Sequence, residues 1–272
     1  AALSHGEPLP ALVATLGAAL ALWAVPSAAR PEARRAGGFE RALAPLRALA
    51  ARLWVRRDER ASFELVFAAL PREREVALRT YPMLGIPLAF LLVGASAAES
   101  ATWRGDLLAL LFFTTGIYLP LLLTHVPLSE SPQASWLLRL APTPRGALVN
   151  GTLKALYVRW ILPLYLALAA LGFALGEAAL VLRLWPLATV LVLPVLRLLY
   201  ARLVRELPLS TAPEDLRADT DWIGLVTTLA VAATFVAVAA RRLLTPGLAA
   251  ALFLLAVGVE LVLDRRLRRR LG

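Results

Sequence analysis

The sequence predicts an all-α membrane protein, a polytopic transmembrane helix bundle of six to seven spans with amphipathic cytoplasmic helices. Hydrophobic residues occupy 59% of the 272 positions and the mean hydropathy is +0.69, whereas a soluble domain is about 45–50% apolar. The apolar residues fall in seven blocks, each near the ~20 residues that cross a bilayer core. These blocks are continuous and lack the alternation of lipid-facing strands, so we expect helices.

The predicted spans follow one another from a first transmembrane helix in residues 1–29, which begins with the run PLPALVATLGAALALWAV. Residues 81–272 are predicted to form the main bundle. Its spans are expected at about 81–98, 106–125, 153–175, 178–200, 222–240 and 246–263. Tryptophans near the ends of the blocks support these boundaries, because the indole ring favours the headgroup zone.

The placement of arginine predicts which ends of the spans face the cytoplasm. With the N-terminus outside, the cytoplasmic segments are 30–80, 124–160, 197–221 and 264–272, and they carry 25 of the 29 basic residues. Because basic residues concentrate on the cytoplasmic side, we expect this N-terminus outside and the C-terminus in the cytoplasm. The net charge of +10 then reflects orientation and attraction to anionic lipids, and nucleic acid is not an expected partner.

Residues 30–80 form a basic amphipathic segment that is predicted to lie in the cytoplasm or at the membrane interface. Two runs carry apolar residues at helical spacing, namely Leu46, Leu49, Leu53 and Trp54, then Phe63, Val66, Phe67 and Leu70. Apolar stripes beside basic faces suit helices that lie in the headgroup plane or dock on a partner. A solvated linker with salt-bridged charges is the alternative interpretation. The charge run Arg72–Glu75 follows directly.

Two further features indicate docking or packing. In the loop from Val126 to Gly151, a short helix is predicted to hold Trp136 and Leu140 on one face; it is a docking element or a plain connector. Gly172 and Gly176 form a GxxxG pattern in the fourth block, which permits close helix approach. Helix packing is the expected role of this pair.

The sequence offers little catalytic or metal chemistry. There is no cysteine and there are two histidines, His5 and His125, so no thiolate or histidine metal site is expected. The chain has no phosphate loop, nucleophile elbow or zincin motif, and we expect neither an enzyme nor a cofactor. The acidic patch of residues 214–221 is interpreted as a solvated loop. Arg183, Arg197 and Glu260 lie near block ends, and we expect them to reach the headgroups.

Two stretches resemble a known family of membrane proteins. The run RDERASFELVFAALPREREVALRTYPMLGIPLAFLL resembles the cytoplasmic segment that enters a span in large bacterial ABC-2-like exporter permeases. The run SPQASWLLRLAPTPRGALVNGTLKALYVRWILPLY is similar to the loop and span that follow in those proteins. The positions that carry the likeness are Trp136, Pro144, Arg145, Gly146, Lys154 and Pro163–Tyr165. The resemblance covers about residues 55–200, and since family members are longer, this chain would represent a C-terminal portion.

The resemblance implies a multi-pass permease of the bacterial inner membrane, whose cytoplasmic helices dock on a separate ATP-binding-cassette ATPase. That ATPase would drive export of a lipid, peptide or drug. The expected docking residues are Arg72, Glu73, Arg74, Glu75, Trp136, Arg139 and Arg145, and their role would be mechanical coupling. The alternative is a structural or accessory subunit of a larger respiratory or photosynthetic membrane complex, without transport activity.

Overall fold

The computed structural model describes residues 38–78, 80, 85, 87, 89–90, 101–140, 143–212 and 222–271. The first predicted transmembrane helix, in residues 1–29, lies outside the described residues, as does most of the second predicted span at 81–98. Every regular element in the described ranges is helical, apart from one isolated parallel bridge between Leu128 and Thr211. The predicted all-α fold is confirmed.

The helices are numbered here in chain order. Those with both ends described are α1 (Gly38–Leu53), α2 (Arg60–Ala69), α3 (Ala101–Thr114), α4 (Leu119–Thr124), α5 (Trp136–Leu140), α6 (Arg145–Leu156), α7 (Leu162–Ala174), α8 (Ala178–Leu203), α9 (Trp222–Leu243) and α10 (Pro246–Leu271). A 3-10 turn at Thr115–Tyr118 joins α3 to α4. A π-helical turn at Tyr157–Ile161 joins α6 to α7, so these pairs form continuous rods.

Five helical segments among the described residues are long and apolar enough to cross a membrane. They are Trp103–Thr124, Arg145–Ala174, Ala178–Leu203, Gly224–Leu243 and Pro246–Leu267, with mean hydropathies between 1.6 and 2.2. These segments coincide with the five predicted spans between residues 106 and 263. The two remaining predicted spans are those that fall wholly or mostly outside the described ranges.

The segment Arg145–Ala174 begins eight residues before the predicted start of its span at Leu153. Its 30 residues extend about 45 Å at ~1.5 Å per residue, whereas the hydrocarbon core is about 30 Å thick. Roughly ten residues therefore extend beyond the core. α6 carries the charged residue Lys154, and the turn after α6 carries Arg159. Because both charges lie towards the α6 end of the rod, this end is the part that protrudes.

Contacts among the long helices fix their relative directions. α8 and α10 run parallel, because Arg197 meets Glu260 while the first turns of both helices line one cleft. α9 runs antiparallel to α3, since Arg241 near its end pairs with Asp106 near the start of α3. The bundle thus has an Arg183 end, where α3, α8 and α10 begin, and an Arg197 end, towards which these three helices run.

Aromatic side chains hold the centre of the bundle together. The hydroxyl of Tyr165 on α7 donates a hydrogen bond to the carbonyl oxygen of Phe112 on α3 at 2.8 Å, and their rings stack with centroids 6.4 Å apart. Trp185 Nε1 on α8 donates to the carbonyl oxygen of Tyr165 at 3.1 Å. Each of these bonds satisfies a polar group that would be costly to leave unpaired in a dry interior.

Candidate functional site

The apolar face of α2 is covered by α6 of the same chain. Phe63, Val66 and Leu70 are 0% exposed. The two helices approach closely at Gly151, where an added Cβ would overlap Ser62 Oγ. The expectation that this face lies against headgroups or a partner is therefore wrong. The sequence correctly indicates an amphipathic helix, but the chain's own span covers its apolar side.

The apolar face of α1 is only partly covered. Leu43 is buried, whereas Leu49 and Leu53 are 57% and 79% exposed. An ion pair between Arg47 and Glu64 ties α1 to α2. The C-terminal half of α1 thus keeps an open apolar edge, which an interfacial or docking helix requires.

Lys154 on α6 forms a buried ion pair with Glu59, which lies in the turn before α2. The Lys154 Nζ atom donates hydrogen bonds to Glu59 Oε2 at 2.7 Å and to the carbonyl oxygen of Trp54 at 2.9 Å. It also lies 5.2 Å from the centroid of the Trp54 ring, within the range of a cation–π contact. Because two buried charges offset their desolvation only in good geometry, this pair fixes how the turn sits on α6.

A second buried ionic cluster joins α6, α8 and α10. Arg197 on α8 donates three hydrogen bonds to the Glu260 carboxylate on α10, at 2.7 to 2.9 Å. Its Nη2 atom also donates to Asp264 Oδ1 at 3.0 Å, and Nη1 donates to Asn150 Oδ1 on α6. The Nδ2 atom of Asn150 is buried and has no hydrogen-bond partner in the described part of the chain.

The burial of Arg197 and Glu260 overturns an expectation from the sequence. Both were expected to extend to the headgroups from the ends of their spans, but they are 4% and 6% exposed. They stay inside because a bidentate guanidinium–carboxylate pair satisfies both charges locally. A buried polar cluster in a membrane-length bundle is a functional candidate, and this one links three helices that are distant in sequence.

α6 connects the two buried ionic sites. Asn150 and Lys154 are four residues apart, so they lie on the same side of the helix. Asn150 reaches Arg197 on α8, while Lys154 reaches the turn before α2. Tyr157, three residues further on, donates from its hydroxyl to the carbonyl oxygen of Thr189 on α8 at 3.1 Å. α2 is thus connected through α6 to α8 and α10, and a displacement of α2 would be passed on to both helices.

Hydrogen bonds also join two of the predicted docking segments. The Glu73 carboxylate accepts from Ser129 Oγ at 3.1 Å and from the backbone N–H of Glu130 at 2.7 Å. The backbone N–H of Arg74 donates to Glu130 Oε1 at 3.3 Å. Residues 72–75 are therefore held against the loop that leads to α5, although 56 residues separate the two segments.

The same loop is paired with the chain that follows α8. Leu209 N–H donates to the carbonyl oxygen of Val126 at 3.0 Å, and Ser129 N–H donates to that of Thr211 at 3.0 Å. Leu209 has a φ of +58°, a conformation that costs a leucine roughly 1–2 kcal/mol and that the surrounding hydrogen bonds must offset. We name residues 72–75, 126–132 and 209–211 together the loop platform.

The structure places the other predicted docking residues as follows. Arg72, Arg74 and Arg145 are exposed, and Trp136 at the start of α5 is 55% exposed. Glu75, which belongs to the platform, is partly buried. Arg139 lies within α5, six residues before the start of α6 at Arg145. Five of the seven predicted residues thus lie on or next to the loop platform, while Arg139 and Arg145 follow it in sequence.

The two glycines of the GxxxG pattern have different roles. Gly172 is buried on α7, and an added Cβ would lie 2.6 Å from Val181 Cγ2 and 2.8 Å from Leu108 Cδ2. Gly176 lies after the end of α7 with a φ of +82°, and a Cβ there would meet nothing described within 4 Å. The prediction of a paired packing motif is therefore corrected: Gly172 permits close approach, while Gly176 ends the helix.

The described residues provide no group of three or more His, Cys, Asp and Glu side chains that could hold a metal ion. His125 is buried, and its Nδ1 atom contacts the carbonyl oxygen of Leu121. The acidic patch of residues 214–221 lies outside the described ranges.

The residues that sequence reasoning missed are Glu59, Asn150, Arg197, Glu260 and Asp264. One signal was available, because Asn150 and Lys154 place two polar side chains on one side of a helix that continues into an apolar span. Comparisons of this chain with known protein families, with curated proteins and with solved structures gave no match. The likeness to exporter permeases accordingly stays a prediction.

Proposed function

We propose that this chain is an integral membrane permease subunit of an ATP-driven exporter, which docks a separate ATPase through the loop platform and α5. The observation that carries the proposal is the set of hydrogen bonds that Glu73 accepts from Ser129 and Glu130 and that the Arg74 backbone donates to Glu130. They unite two segments that the sequence indicates independently as docking elements. A force applied to either segment is therefore transmitted to both.

The surface beside the platform has the composition of a binding surface. Trp136 and Leu140 are 55% and 74% exposed. Arg72 and Arg74 of the platform and Arg145 at the start of α6 are exposed as well. Protein interfaces are enriched in tryptophan and arginine, with an apolar anchor surrounded by polar groups. This surface would fit a soluble subunit that offers an apolar groove with acidic residues at its edge.

The buried ion pairs support a mechanical role for the segments behind this surface. α2 is packed against α6 without room for a side chain at Gly151, so the two helices would move as one body. Lys154 and Asn150 then connect α6 to the turn before α2 and to Arg197. Packed helices joined by hydrogen bonds transmit rigid-body shifts. Motion of a docked ATPase would reach α8 and α10 by this route.

The proposal is tested by isolating the tagged full chain in mild detergent from the cells that make it and identifying what is retained. We expect an ATP-hydrolysing subunit, and we expect Arg72→Glu and Arg74→Glu, separately and together, to lose it. Arg242→Glu is the matched control, because this arginine is exposed at the opposite end of the bundle. Undiminished retention of the ATPase by the Arg72 and Arg74 variants would contradict the proposal.

A second candidate function is that of a structural subunit in a larger membrane complex. The observation that favours it is the exposure of α9 and α10, where Phe235, Leu254 and Leu255 are 73%, 68% and 62% exposed. Such a face suits a neighbouring subunit as well as lipid. Recovery of redox or pigment subunits, without an ATPase, would favour this second candidate.

A further inference from the structure

A cleft opens between α8 and α10 at the Arg183 end of the bundle. Its volume is about 660 Å³, within the roughly 300–1,000 Å³ of ordinary ligand sites. The α10 wall consists of Pro246, Ala249, Ala250 and Phe253, which recur at the spacing of one helix face. Further along the same two helices, α8 and α10 are joined by the hydrogen bonds between Arg197 and Glu260.

The wall of the cleft carries the guanidinium group of Arg183, which has no partner among the described residues. Arg183 lines the cleft, its Nε atom is buried, and it makes no hydrogen bond or ion pair within the described ranges. The other charged residues of the lining are Arg241 and Glu177, and Asp106 compensates Arg241 at 3.2 Å. Arg183 and Glu177 are then the two charges left in the lining and form no ion pair with each other, whereas most of the surface is apolar.

The depth of Arg183 matches that of a phospholipid phosphate. α8 has 26 residues and is about 39 Å long, so it exceeds a ~30 Å hydrocarbon core by roughly 9 Å. Arg183 is five residues from the start of α8, about 7.5 Å along the axis. A centred helix thus holds this guanidinium within a few ångströms of the boundary between headgroups and acyl chains. The first turns of α8 and α10 also direct backbone N–H groups towards this end.

We propose that this cleft binds one anionic phospholipid, with the phosphate on Arg183 and an acyl chain against the α10 wall. Charge complementarity selects the headgroup, because the buried Nε atom of Arg183 has no acceptor among the described residues, and a phosphate oxygen supplies one. The apolar lining selects a lipid over free phosphate, since phosphate alone would leave the α10 wall uncovered. This site does not depend on the function proposed above, because it lies at the opposite end from the loop platform.

The test uses the full chain, purified in detergent and delipidated, with native mass spectrometry counting the lipid that stays bound. The probes are phosphatidylglycerol, phosphatidylcholine with the same chains, and inorganic phosphate. We expect phosphatidylglycerol to bind at least about tenfold more tightly than phosphatidylcholine, because both lipids present a phosphate to Arg183 but the choline cation offsets its negative charge. Arg183→Gln should remove this preference. Arg242→Gln, which changes an exposed arginine at the same end of the bundle, should leave it unchanged.

A second variant tests the acyl-chain part and retains every charge. Ala250→Phe fills the cleft from the α10 wall, and we expect it to weaken phosphatidylglycerol binding without altering the melting temperature. Equal binding of the two lipids, or a preference that survives Arg183→Gln, overturns the proposal. Phosphate that competes with phosphatidylglycerol at equal concentration, together with an unaffected Ala250→Phe variant, also overturns it, because the site would then recognise a free anion.

Discussion

The Nζ atom of Lys154 lies 2.7 Å from Glu59 Oε2, and the two side chains are only 3% and 0% exposed. The ion pair between Arg47 and Glu64 also holds α2, which it joins to α1, but its side chains are 44% and 29% exposed. The two pairs therefore allow a direct comparison of a buried and a solvated contact within one helical layer.

Lys154→Met is expected to destabilise the protein by about 3–5 kcal/mol, because it breaks a buried ion pair by removing one of its partners. Arg47→Met is expected to cost no more than about 1 kcal/mol, since exposed ion pairs contribute little. Thermal unfolding in detergent, followed by tryptophan fluorescence, measures both. Equal losses of stability would show that the Lys154 pair is accessible to water.

In the cluster around Arg197, we expect the loss of the arginine to lower the stability more than the loss of Glu260. Arg197→Met removes the cation that pairs with the buried Glu260 carboxylate and should cost about 3–5 kcal/mol. Glu260→Gln leaves Arg197 paired with Asp264 and should cost about 1–3 kcal/mol. The double variant should be more stable than Arg197→Met alone. Additive losses in the same unfolding measurement would contradict this coupling.

Gly151→Ala should separate α2 from α6, because the added methyl group overlaps Ser62 Oγ. We expect a loss of about 1–3 kcal/mol, the usual cost of overpacking. Gly258→Ala is the matched control, since nothing described lies within 4 Å of a Cβ at that position of α10. An equal change in melting temperature for both variants would argue against close α2–α6 packing.

Glu73→Ala should release the loop that leads to α5, because it removes the acceptor for Ser129 and Glu130. Limited digestion with chymotrypsin should then cleave after Trp136 several times faster, since cleavage follows local opening. Arg72→Ala is the control, because its exposed side chain is adjacent and makes none of these bonds. A digestion rate that matches the unchanged chain would mean that other contacts hold the loop.

The helices of this fold are largely predictable from the sequence, whereas the neighbours against which each helix packs are not. Block length and hydropathy determine the five membrane-length helices, because crossing a bilayer imposes both. The spacing of Phe63, Val66 and Phe67 likewise predicts an amphipathic helix. The same apolar stripe packs equally well against the membrane interface, a partner protein or another helix of the chain, since all three present an apolar surface. Only the glycine at position 151 hints at the actual neighbour.

The buried ions were interpreted wrongly for a related reason. Arg197 and Glu260 lie 63 residues apart, on helices that are not consecutive in the chain. Each alone is expected to extend towards water, because an isolated charge in hydrocarbon is costly. Together they form a bidentate pair inside the bundle. A single sequence contains no signal that shows two such distant positions to be in contact.

The π-helical turn at Tyr157–Ile161 gives this chain a place where its length can change. Such a turn holds one residue more than the α-helix that it interrupts. Loss of a residue there would restore regular geometry and leave Lys154 and Tyr165 facing their present neighbours. Loss elsewhere in the same rod would rotate all later side chains by about 100°. In evolutionary terms, single-residue insertions and deletions should accumulate at this turn and be rare in the helices on either side.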